Sequence, residues 1–325
     1  MEILKNIPLH DKNWFQTGGP AKFFCEPQNE NDFSKAVKFA AENNLKIFVL
    51  GEGANILISD NGFDGLVIHP KLSNITILEQ KNLAAFGLNT KIDEQKKLVT
   101  AGAGVKIQDL INFTLENNLV GLEEFSGIPG TVGGSTYINI HFIDYFLSDF
   151  LVAGQIIEKD SGQTIWVDKN WFEFGYDQSK LQSGQYFLIN AIFALNEVSP
   201  LQAAYCKGRS DETIRQRNRR YPTSNTCGSF FRNFHADEVK IEINAKKMIF
   251  VAYYLDKLGI KGELKVGNAI VSPKHANMIE SLRGATSSDI VNLAVKMQEM
   301  VYKTYGIIPH AECVLVGFEK YPFLK

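Results

Sequence analysis

Three loops of small residues in the first half of the chain place the strongest constraint on its fold. They occupy residues 51–55, 102–104 and 127–134 and read GEGAN, GAG and GIPGTVGG. Glycine lets the backbone approach a ligand closely, and consecutive backbone N–H groups can then surround a pyrophosphate. One such loop alone is more often an ordinary tight turn, but three together indicate a site for a dinucleotide cofactor.

The surroundings of these glycine loops argue against the two commonest nucleotide-binding folds. No GxGxxG sequence opens a helix, so a Rossmann domain for NAD is unsupported, and no GxxxxGK[ST] sequence marks a P-loop. Another dinucleotide-binding fold is therefore required.

The order of predicted helices and strands indicates an α+β architecture. Apolar spacing predicts a helix over residues 31–45, capped by Asn31, and a strand over 46–50. A strand over 97–100 precedes a helix whose inner face carries Ile107, Leu110, Ile111 and Leu115. β-branched and aromatic residues predict further strands at 65–69, 154–158, 164–167 and 186–195. This order does not suggest a doubly wound sheet.

A polar, basic stretch marks the predicted boundary between two domains. It reads as a helix over residues 201–220 that ends before Pro222 and contains Arg209, Arg215, Arg217, Arg219 and Arg220. Beyond it we predict a helix over 248–258, a longer helix from Ser287 to Gly306 and a final strand over 312–316. The arginine cluster is either part of a binding site or a solvated helix face.

Composition and charge exclude several classes of protein. The 34 lysines and arginines balance 36 acidic residues, so a net charge of -2 provides no basic field for nucleic acid. Residues 1–14 carry charges where a signal peptide is apolar, and no apolar run is long enough to cross a membrane. We therefore expect a cytoplasmic protein. The four cysteines form no CxxC pair, so we expect buried or incidental thiols and no metal site.

Longer motifs in a fixed order connect the chain to a known family. The sequences GGPA at 18–21 and VLGEGANILISD at 49–60, with the loop at 127–134, are similar to the FAD-binding half of that family. Similar matches follow with CGSFFRN at 227–233, GIKG at 259–262, GNAIVSPKHA at 267–276 and residues 306–317 around Glu312. With its motifs in order over residues 13–317, the chain resembles the UDP-N-acetylenolpyruvylglucosamine reductases of bacterial cell-wall synthesis.

This resemblance implies a fold, cofactors and a reaction. An FAD-binding domain of the vanillyl-alcohol-oxidase type is implied over residues 1–200, with subdomains 1–70 and 71–200. A smaller α/β substrate-binding domain is implied over 201–325, with the strand near 312–317 returning to the active site. The family binds FAD non-covalently, oxidises NADPH and reduces UDP-GlcNAc-enolpyruvate to UDP-N-acetylmuramate. The short interval between Ser179 and Arg209 resembles the family's second type, and we expect a monomer.

The resemblance also assigns residues to catalysis and to the cofactor. Hydride addition to an enolpyruvyl ether needs a proton donor and groups that stabilise negative charge. By similarity Ser229 is the proton donor and Glu312 the carboxylate that assists at the substrate carboxyl group. The residues implied to hold FAD are Gly51, Glu52, Gly53, Ala54, Asn55, Gly102, Gly104, Gly127, Gly130, Thr131, Gly133 and Gly134.

A UDP-sugar requires cations and amides around its pyrophosphate. By position in the family motifs, the expected substrate-binding residues are Tyr176, Arg220, Arg232, Asn233 and His275. From the sequence, Arg220, Asn233 and His275 can equally be a surface arginine, a capping asparagine and a buried histidine with partners of its own.

Two segments depart from the family pattern where the chemistry is expected. The family's Tyr-Arg-x-Ser segment reads Tyr176-Asp177-Gln178-Ser179 here, so Asp177 replaces an arginine that stabilises developing negative charge. A carboxylate there opposes the reaction by a few kcal/mol unless Arg232 or Lys180 takes the arginine's role. The usual Asn-Ala-Gly-Ala-Tyr-Gly run is replaced by NIHFID at 139–144, and these bulkier residues predict a reshaped or partly filled pocket.

Smaller departures concern the first glycine loop and an insertion. Glu52 directs negative charge toward a pyrophosphate unless it is turned outward, and Ala54 is a second change in that loop. Residues 235–247 form an extra segment that reads as a hairpin.

Three functions remain open from the sequence. Motif order favours the reductase of the cell-wall precursor. Asp177 and the run at 140–144 favour an FAD enzyme that acts on another sugar nucleotide or small metabolite. The third function is non-catalytic flavin binding.

Overall fold

The computed structural model describes residues 1–80 and 82–324; Lys81 and Lys325, the last residue of the expected C-terminal domain, lie outside the described residues. The helices are α1 (Glu30–Glu42), α2 (Asn82–Ala85), α3 (Ile107–Glu116), α4 (Val132–Ile138), α5 (Pro200–Arg220), α6 (Val251–Lys257) and α7 (Ser287–Tyr305). The strands are β1 (Leu4–Pro8), β2 (Pro20–Cys25), β3 (Lys46–Val49), β4 (Ile56–Ile58), β5 (Phe63–Ile68), β6 (Ile75–Leu78), β7 (Lys96–Gly102), β8 (Leu119–Val120), β9 (His141–Phe142), β10 (Tyr145–Phe146), β11 (Leu151–Glu158), β12 (Thr164–Asp168), β13 (Tyr186–Glu197), β14 (Glu242–Ile243), β15 (Lys246–Lys247), β16 (Lys265–Val266), β17 (Ala269–Val271), β18 (Ile279–Ser281) and β19 (Val314–Val316).

The chain forms two compact units, each assembled from separate segments. The first unit comprises Met1–Lys5, Phe23–Glu52 and Gly65–Gln216. The second comprises Asn6–Lys22, Gly53–Asp64 and the chain from Arg217 onward.

An antiparallel sheet forms the centre of the first unit. Its strand order is β12-β11-β13-β7-β6, and β8 also pairs with β13. The long central strand β13 places Ala191 opposite Gly154 of β11 and Ala101 of β7. At Gly154 a Cβ atom would lie 2.6 Å from the ring of Phe172, so only glycine fits there. In the same unit, β3 pairs in parallel with β5.

Two helices of the first unit, α1 and α3, bury an apolar face, as their spacing predicts. The predicted inner face of α3 is confirmed, because Ile107, Leu110, Ile111 and Leu115 are all buried.

The predicted cap of α1 is wrong: the helix begins at Glu30, and Asn29 caps it instead of Asn31. The side chain of Asn29 accepts the N–H of Asp32 at 3.0 Å. Asn29 has the extended backbone (φ -155°) that a capping residue needs, whereas Asn31 already lies in the first turn.

The core of the second unit is built on α7. The predicted inner face of this helix is confirmed, with Ile290, Leu293, Ala294, Met297 and Val301 buried. Thr286 Oγ1 accepts the N–H of Asp289 at 3.1 Å, and the Asp289 carboxylate accepts the N–H of Thr286 at 3.1 Å. Gly306 ends the helix with a φ of 69°, a conformation that glycine adopts without steric cost.

Strands from both ends of the sequence complete the second unit. β4 pairs in parallel with β19, and Leu57 lies opposite Leu315. β16, β17 and β18 form an antiparallel sheet in that order. The extra segment contains the expected hairpin, β14 paired with β15, whose turn residues Asn244 and Ala245 have positive φ.

Within residues 1–80 and 82–324, no helix combines the length and the apolarity that a membrane span requires. The same residues contain no group of three or more His, Cys, Asp or Glu side chains arranged to hold a metal ion. All four cysteines are buried free thiols, as predicted. Burial raises the pKa of the Cys25 thiol to about 12 and holds that of Cys227 well above its usual value.

Candidate functional site

In the first unit, parts of the three glycine loops meet around Thr131. Val132 N–H donates to the Val105 carbonyl at 2.8 Å, and Gly133 N–H donates to the Ala103 carbonyl at 2.9 Å. A Cβ atom at Gly51 would lie 2.8 Å from Thr131 Oγ1, an atom that caps α4 by accepting the N–H of Gly134 at 3.2 Å. Small residues therefore let these loops pack closely together.

The glycines at 102 and 104 have a packing role in this arrangement. A Cβ atom at Gly102 would lie 2.3 Å from the Leu72 carbonyl oxygen, and one at Gly104 would lie 2.5 Å from the Pro70 carbonyl oxygen. Their missing side chains thus face the backbone at 70–72, which holds the second glycine loop in place.

Glu52 binds within the glycine loops. Its carboxylate accepts the N–H of Gly130 at 2.8 Å and lies 3.7 Å from the Lys106 ammonium. A backbone N–H beside a lysine is a favourable position for an anion, and this carboxylate occupies it. Sequence reasoning missed Lys106, although it follows the Gly102-Ala103-Gly104 turn by two residues.

The second unit holds the rest of the first glycine loop. Gly53 has a φ of 71°, and a Cβ atom there would lie 2.6 Å from the Lys12 carbonyl oxygen. Asn55 Oδ1 is buried and has no hydrogen-bond partner within the described chain. A buried acceptor of this kind costs free energy unless a ligand donates to it.

Taken unit by unit, these residues fit a dinucleotide cofactor such as FAD. In the first unit the glycines at 51, 130 and 133 are partly exposed, and in the second unit Asn55 offers an acceptor that has no donor within the described chain. Both features match what a pyrophosphate with attached ribose groups would need.

The altered run at 139–144 forms a short hairpin, β9 paired with β10. Asn139 ends α4 with a φ of 50°, donates through Nδ2 to the Gly175 carbonyl at 3.0 Å and accepts the N–H of Ser148 at 3.0 Å. The hairpin turn exposes Ile143, which is 74% exposed and has a φ of 56°.

Asp177 lies against this hairpin. Its Oδ1 is 3.3 Å from His141 Nδ1, and its Oδ2 is buried without a partner in the described structure. The ring of His141 packs on Tyr176, with centroids 4.4 Å apart. Ser179 donates its hydroxyl to the Tyr137 carbonyl at 2.7 Å. The motif departures drew attention to Asp177 and to the run containing His141, but sequence reasoning did not pair the two.

In the second unit, the structure brings the segments of Ser229 and Glu312 together. Ser229 forms a β-bridge with Met278, and Phe231 forms one with Ala311. Glu312 N–H donates to the Phe230 carbonyl at 2.9 Å. The two residues predicted to be catalytic therefore lie on neighbouring, hydrogen-bonded stretches of backbone.

Aromatic and basic residues surround Arg220 and His275. The guanidinium of Arg220 is 5.5 Å from the centre of the Tyr221 ring, which packs on His275 at 5.4 Å. Lys274 Nζ donates to the Asn218 carbonyl at 3.0 Å near the end of α5. Burial, and then the charges of Arg220 and Lys261, lower the pKa of His275, so its imidazole is neutral at neutral pH.

The side chains of Arg232 and Asn233 both bind other groups of the protein. Arg232 binds both oxygens of Glu238, at 2.8 and 2.7 Å, and this pairing lowers the pKa of Glu238 to about 2. Asn233 Oδ1 accepts the N–H of Val251, the first residue of α6, at 3.4 Å. The helix predicted over 248–258 begins at this residue.

Family profiles match most of the chain. One described as an FAD binding domain matches residues 21–168, and one described as the C-terminal domain of UDP-N-acetylenolpyruvoylglucosamine reductase matches residues 220–316. A crystal structure of UDP-N-acetylenolpyruvylglucosamine reductase from Thermus caldophilus shares the fold, with a TM-score of 0.71 at 22% identity over 97% of this chain and 99% of that one. The predicted α+β fold with an FAD-binding domain is confirmed.

Whole-length relatives carry the same name. UDP-N-acetylenolpyruvoylglucosamine reductase from Orientia tsutsugamushi is 30% identical over 97% of this chain and 95% of its own length. The reductase from Lactobacillus johnsonii is 30% identical over 98% of this chain and 96% of its own length. Because the similarity spans both units, the chain belongs to the UDP-N-acetylenolpyruvoylglucosamine reductase family.

Proposed function

We propose that this protein reduces UDP-GlcNAc-enolpyruvate to UDP-N-acetylmuramate, with non-covalent FAD as cofactor and NADPH as the electron donor. The observation that carries the proposal is the pairing of the Ser229 and Glu312 segments across Phe230. The whole-length relatives, which are named for this reaction, support it.

The glycine loops would hold the FAD. In the first unit we assign this role to the backbone at Gly51 and Gly130. In the second unit we assign it to the buried oxygen of Asn55. Bound there, FAD would supply the two-electron redox chemistry that links NADPH oxidation to reduction of the substrate double bond.

Ser229 and Glu312 would handle the proton and the developing charge. The Ser229 hydroxyl gives a proton to the carbon beside the one that receives hydride. Glu312, on the adjacent segment, would assist at the substrate carboxyl group.

The basic cluster of the second unit would bind the UDP group. Arg220 and Lys274 provide positive charge, and the neutral imidazole of His275 provides a polar contact. Charge-assisted hydrogen bonds of this kind recognise phosphate groups. Tyr176, Arg232 and Asn233 complete the proposed substrate set.

Three further properties belong to the proposal. The protein acts in the cytoplasm, where NADPH and UDP-sugars are available, and it acts as a monomer. The FAD-binding domain extends over residues 1–200 and the substrate-binding domain over 201–325.

An anaerobic experiment tests the reaction. The purified flavoprotein is reduced with NADPH, and UDP-GlcNAc-enolpyruvate is added while flavin absorbance is followed. Rapid reoxidation with formation of UDP-N-acetylmuramate is the expected result. A flavin that stays reduced would overturn the proposal.

The second candidate is an FAD enzyme acting on another sugar nucleotide. The observation in its favour is the β9–β10 hairpin with Asp177, which replaces small residues and an arginine of the family pattern. In the same assay, this function predicts reoxidation by a different sugar nucleotide and none by UDP-GlcNAc-enolpyruvate.

A further inference from the structure

Asn13 is a buried residue of the second unit whose side-chain amide is only half used. It is 6% exposed, and its Nδ2 group donates to the Leu9 carbonyl at 2.7 Å and to the Thr17 carbonyl at 2.9 Å. An amide NH2 group has two hydrogens, so these bonds use both donors. They also fix the orientation of the amide, because turning it over would place its oxygen against two carbonyl oxygens.

The oxygen of the same amide is a buried acceptor without a donor. Asn13 Oδ1 has no hydrogen-bond partner within the described chain. Because the bonds of Nδ2 hold the group in place, this oxygen cannot turn toward another donor. A buried acceptor that stays unsatisfied lowers the stability of a protein, so such atoms call for a specific partner.

Asn13 packs against the first glycine loop. A Cβ atom at Gly53 would lie 2.6 Å from the Cα atom of Asn13, and the N–H of Trp14 donates to the Gly53 carbonyl at 3.0 Å. Two residues beyond Gly53, Asn55 Oδ1 is likewise buried without a donor among the described residues. The second unit therefore carries two buried amide oxygens of the same kind on adjoining stretches of backbone.

A structural role alone does not explain the oxygen of Asn13. The turn over residues 9–17 has hydrogen bonds that need no particular side chain at position 13. Lys12 N–H donates to the Leu9 carbonyl at 3.0 Å, and Gln16 N–H donates to the Asn13 carbonyl at 3.1 Å. The hydroxyl of Ser281 donates to the Phe15 carbonyl. Because these bonds hold the turn, the buried oxygen points to a ligand.

The chemistry of the two amide oxygens restricts which part of a dinucleotide they can bind. Phosphate oxygens are acceptors, as amide oxygens are, so the two cannot form a hydrogen bond with each other. FAD also carries hydroxyl groups, on the ribityl chain of the flavin and on the ribose of the adenosine, and each of these can donate. The oxygens of Asn13 and Asn55 therefore suit hydroxyl groups of the cofactor.

We propose that Asn13 is a further cofactor-binding residue, whose Oδ1 accepts a hydrogen bond from a sugar or sugar-alcohol hydroxyl group of FAD. Asn55 Oδ1 accepts from the same hydroxyl-bearing part of the cofactor. The inference rests on the proposed FAD site and adds the chemistry that the second unit recognises. Asn13 binds and orients the cofactor and takes no part in electron or proton transfer.

Calorimetric titration of the apoprotein with FAD tests this contact without turnover. Asn13→Leu keeps the shape of the side chain and removes its donors and its acceptor. We expect this variant to bind FAD about tenfold more weakly, the loss of one hydrogen bond to a fixed buried acceptor. Asn13→Ser keeps a hydroxyl that can donate to the Leu9 carbonyl but places no oxygen at the Oδ1 position. It should show the same loss, which keeps the test valid if Asn13→Leu unfolds.

Ser281→Ala is the matched control for damage to the turn. It removes the hydrogen bond to the Phe15 carbonyl and leaves Asn13 and Gly53 unchanged. Urea denaturation should show lower midpoints for this variant and for the Asn13 variants, whereas only the Asn13 variants should lose affinity for FAD. Unchanged affinity in the Asn13 variants, or an equal loss in Ser281→Ala, would overturn the inference.

Two fragments of the cofactor identify the hydroxyl group. FMN carries the ribityl chain, and ADP carries the adenosine ribose. Asn13→Leu should weaken the binding of one fragment and leave the other unchanged, with FMN affected if the ribityl chain is bound and ADP affected if the ribose is. A loss for both fragments, or for neither, would indicate a displaced loop and overturn the inference.

The same titrations separate this inference from the proposed reaction. Wild-type apoprotein that binds no FAD would contradict both. A bound flavin that UDP-GlcNAc-enolpyruvate does not reoxidise would contradict the reaction alone, because the affinities of the Asn13 variants for FAD do not depend on turnover.

Discussion

Glu52 places a negative charge where a cofactor phosphate would be expected to bind. Its carboxylate accepts the N–H of Gly130 and lies near Lys106. A second anion can accept the N–H of Gly130 only if the Glu52 carboxylate moves away or shares this donor with it. Under the proposed FAD assignment, Glu52 would compete with the cofactor phosphates for this donor.

We predict that Glu52→Gln binds FAD more tightly than the wild type. The amide oxygen can still accept the N–H of Gly130, so the variant removes charge and little else. Relief of like-charge repulsion of ~1 kcal/mol corresponds to about fivefold in the dissociation constant. Titration of apoprotein with FAD measures it, and the gain should shrink at high salt. Weaker binding by the variant would show that Glu52 supports the loop instead.

A second prediction separates proton transfer from hydride transfer. Ser229→Ala should reduce flavin at the wild-type rate with NADPH but should reoxidise it with UDP-GlcNAc-enolpyruvate ~100-fold or more slowly, because the general acid is lost. Stopped-flow absorbance separates the two half-reactions. Equal loss in both half-reactions would assign Ser229 to structure instead of catalysis.

The sequence predicted individual residues where a motif or a period marks them. Ser229 and Glu312 were located by motif, and the structure places their segments side by side. The contact between His141 and Asp177 could not be predicted, because it depends on a hairpin that joins positions 36 residues apart. Asn29 and Asn31 are the same residue type, two positions apart, so the sequence does not distinguish them as caps. Backbone conformation decides that Asn29 caps α1.

At the scale of elements, one ion pair within the second unit links the extra segment, residues 235–247, to Arg232 just before it. Glu238, near the start of that segment, binds Arg232 at two points. Its pKa is lowered from 4.5 to about 2, chiefly by the hydrogen bonds from Arg232. A carboxyl group whose pKa is depressed by folding stabilises the protein above its unfolded pKa, and that contribution is lost as the pH falls.

The lowered pKa of Glu238 predicts how the stability of the protein depends on pH. Glu238→Gln should lower the free energy of unfolding by about 2 kcal/mol at pH 7, and the difference should disappear as the pH falls from 4.5 to about 2. Urea denaturation at several pH values measures it. Glu242→Gln removes a more exposed carboxylate that lies 3.3 Å from Lys247 and should change stability by less than ~0.5 kcal/mol. A difference that persists at pH 2 would contradict the role of the ion pair.

The buried faces of the helices were predicted more accurately than the residues at which the helices begin. The inner faces of α3 and α7 follow from apolar spacing alone. The start of α6 does not, because it is set by the side chain of Asn233, which lies 18 residues before the N–H it accepts. Short strands such as β19 are likewise fixed by a distant partner, here β4.

At the scale of the whole molecule, the second unit depends on segments from the beginning of the chain. Phe15 and Leu57 lie in its hydrophobic core. The hydroxyl of Ser281 donates to the Phe15 carbonyl, and that of Ser287 donates to Thr17 Oγ1 at 2.8 Å. Nothing in the local sequence marks residues 6–22 and 53–64 as partners of α7, because contacts between distant segments leave no periodic pattern.

We therefore predict that residues 217–325 do not fold when expressed alone. Without β4 and Phe15, the fragment exposes one edge of β19 and part of its core. Circular dichroism in urea should show no cooperative transition for the fragment and a clear one for the full chain. A cooperative transition in the fragment would show that the N-terminal segments are dispensable.

The buried thiols have a practical consequence for anyone who studies motion in this enzyme. Thiolates react with maleimides and other electrophiles, whereas thiols held protonated by burial do so slowly. Burial raises the pKa of Cys25, Cys206 and Cys227, and Cys313 is buried as well. The native protein is therefore a nearly silent background for fluorescent labelling, and a single cysteine introduced at exposed Ile143 would report on the β9–β10 hairpin alone.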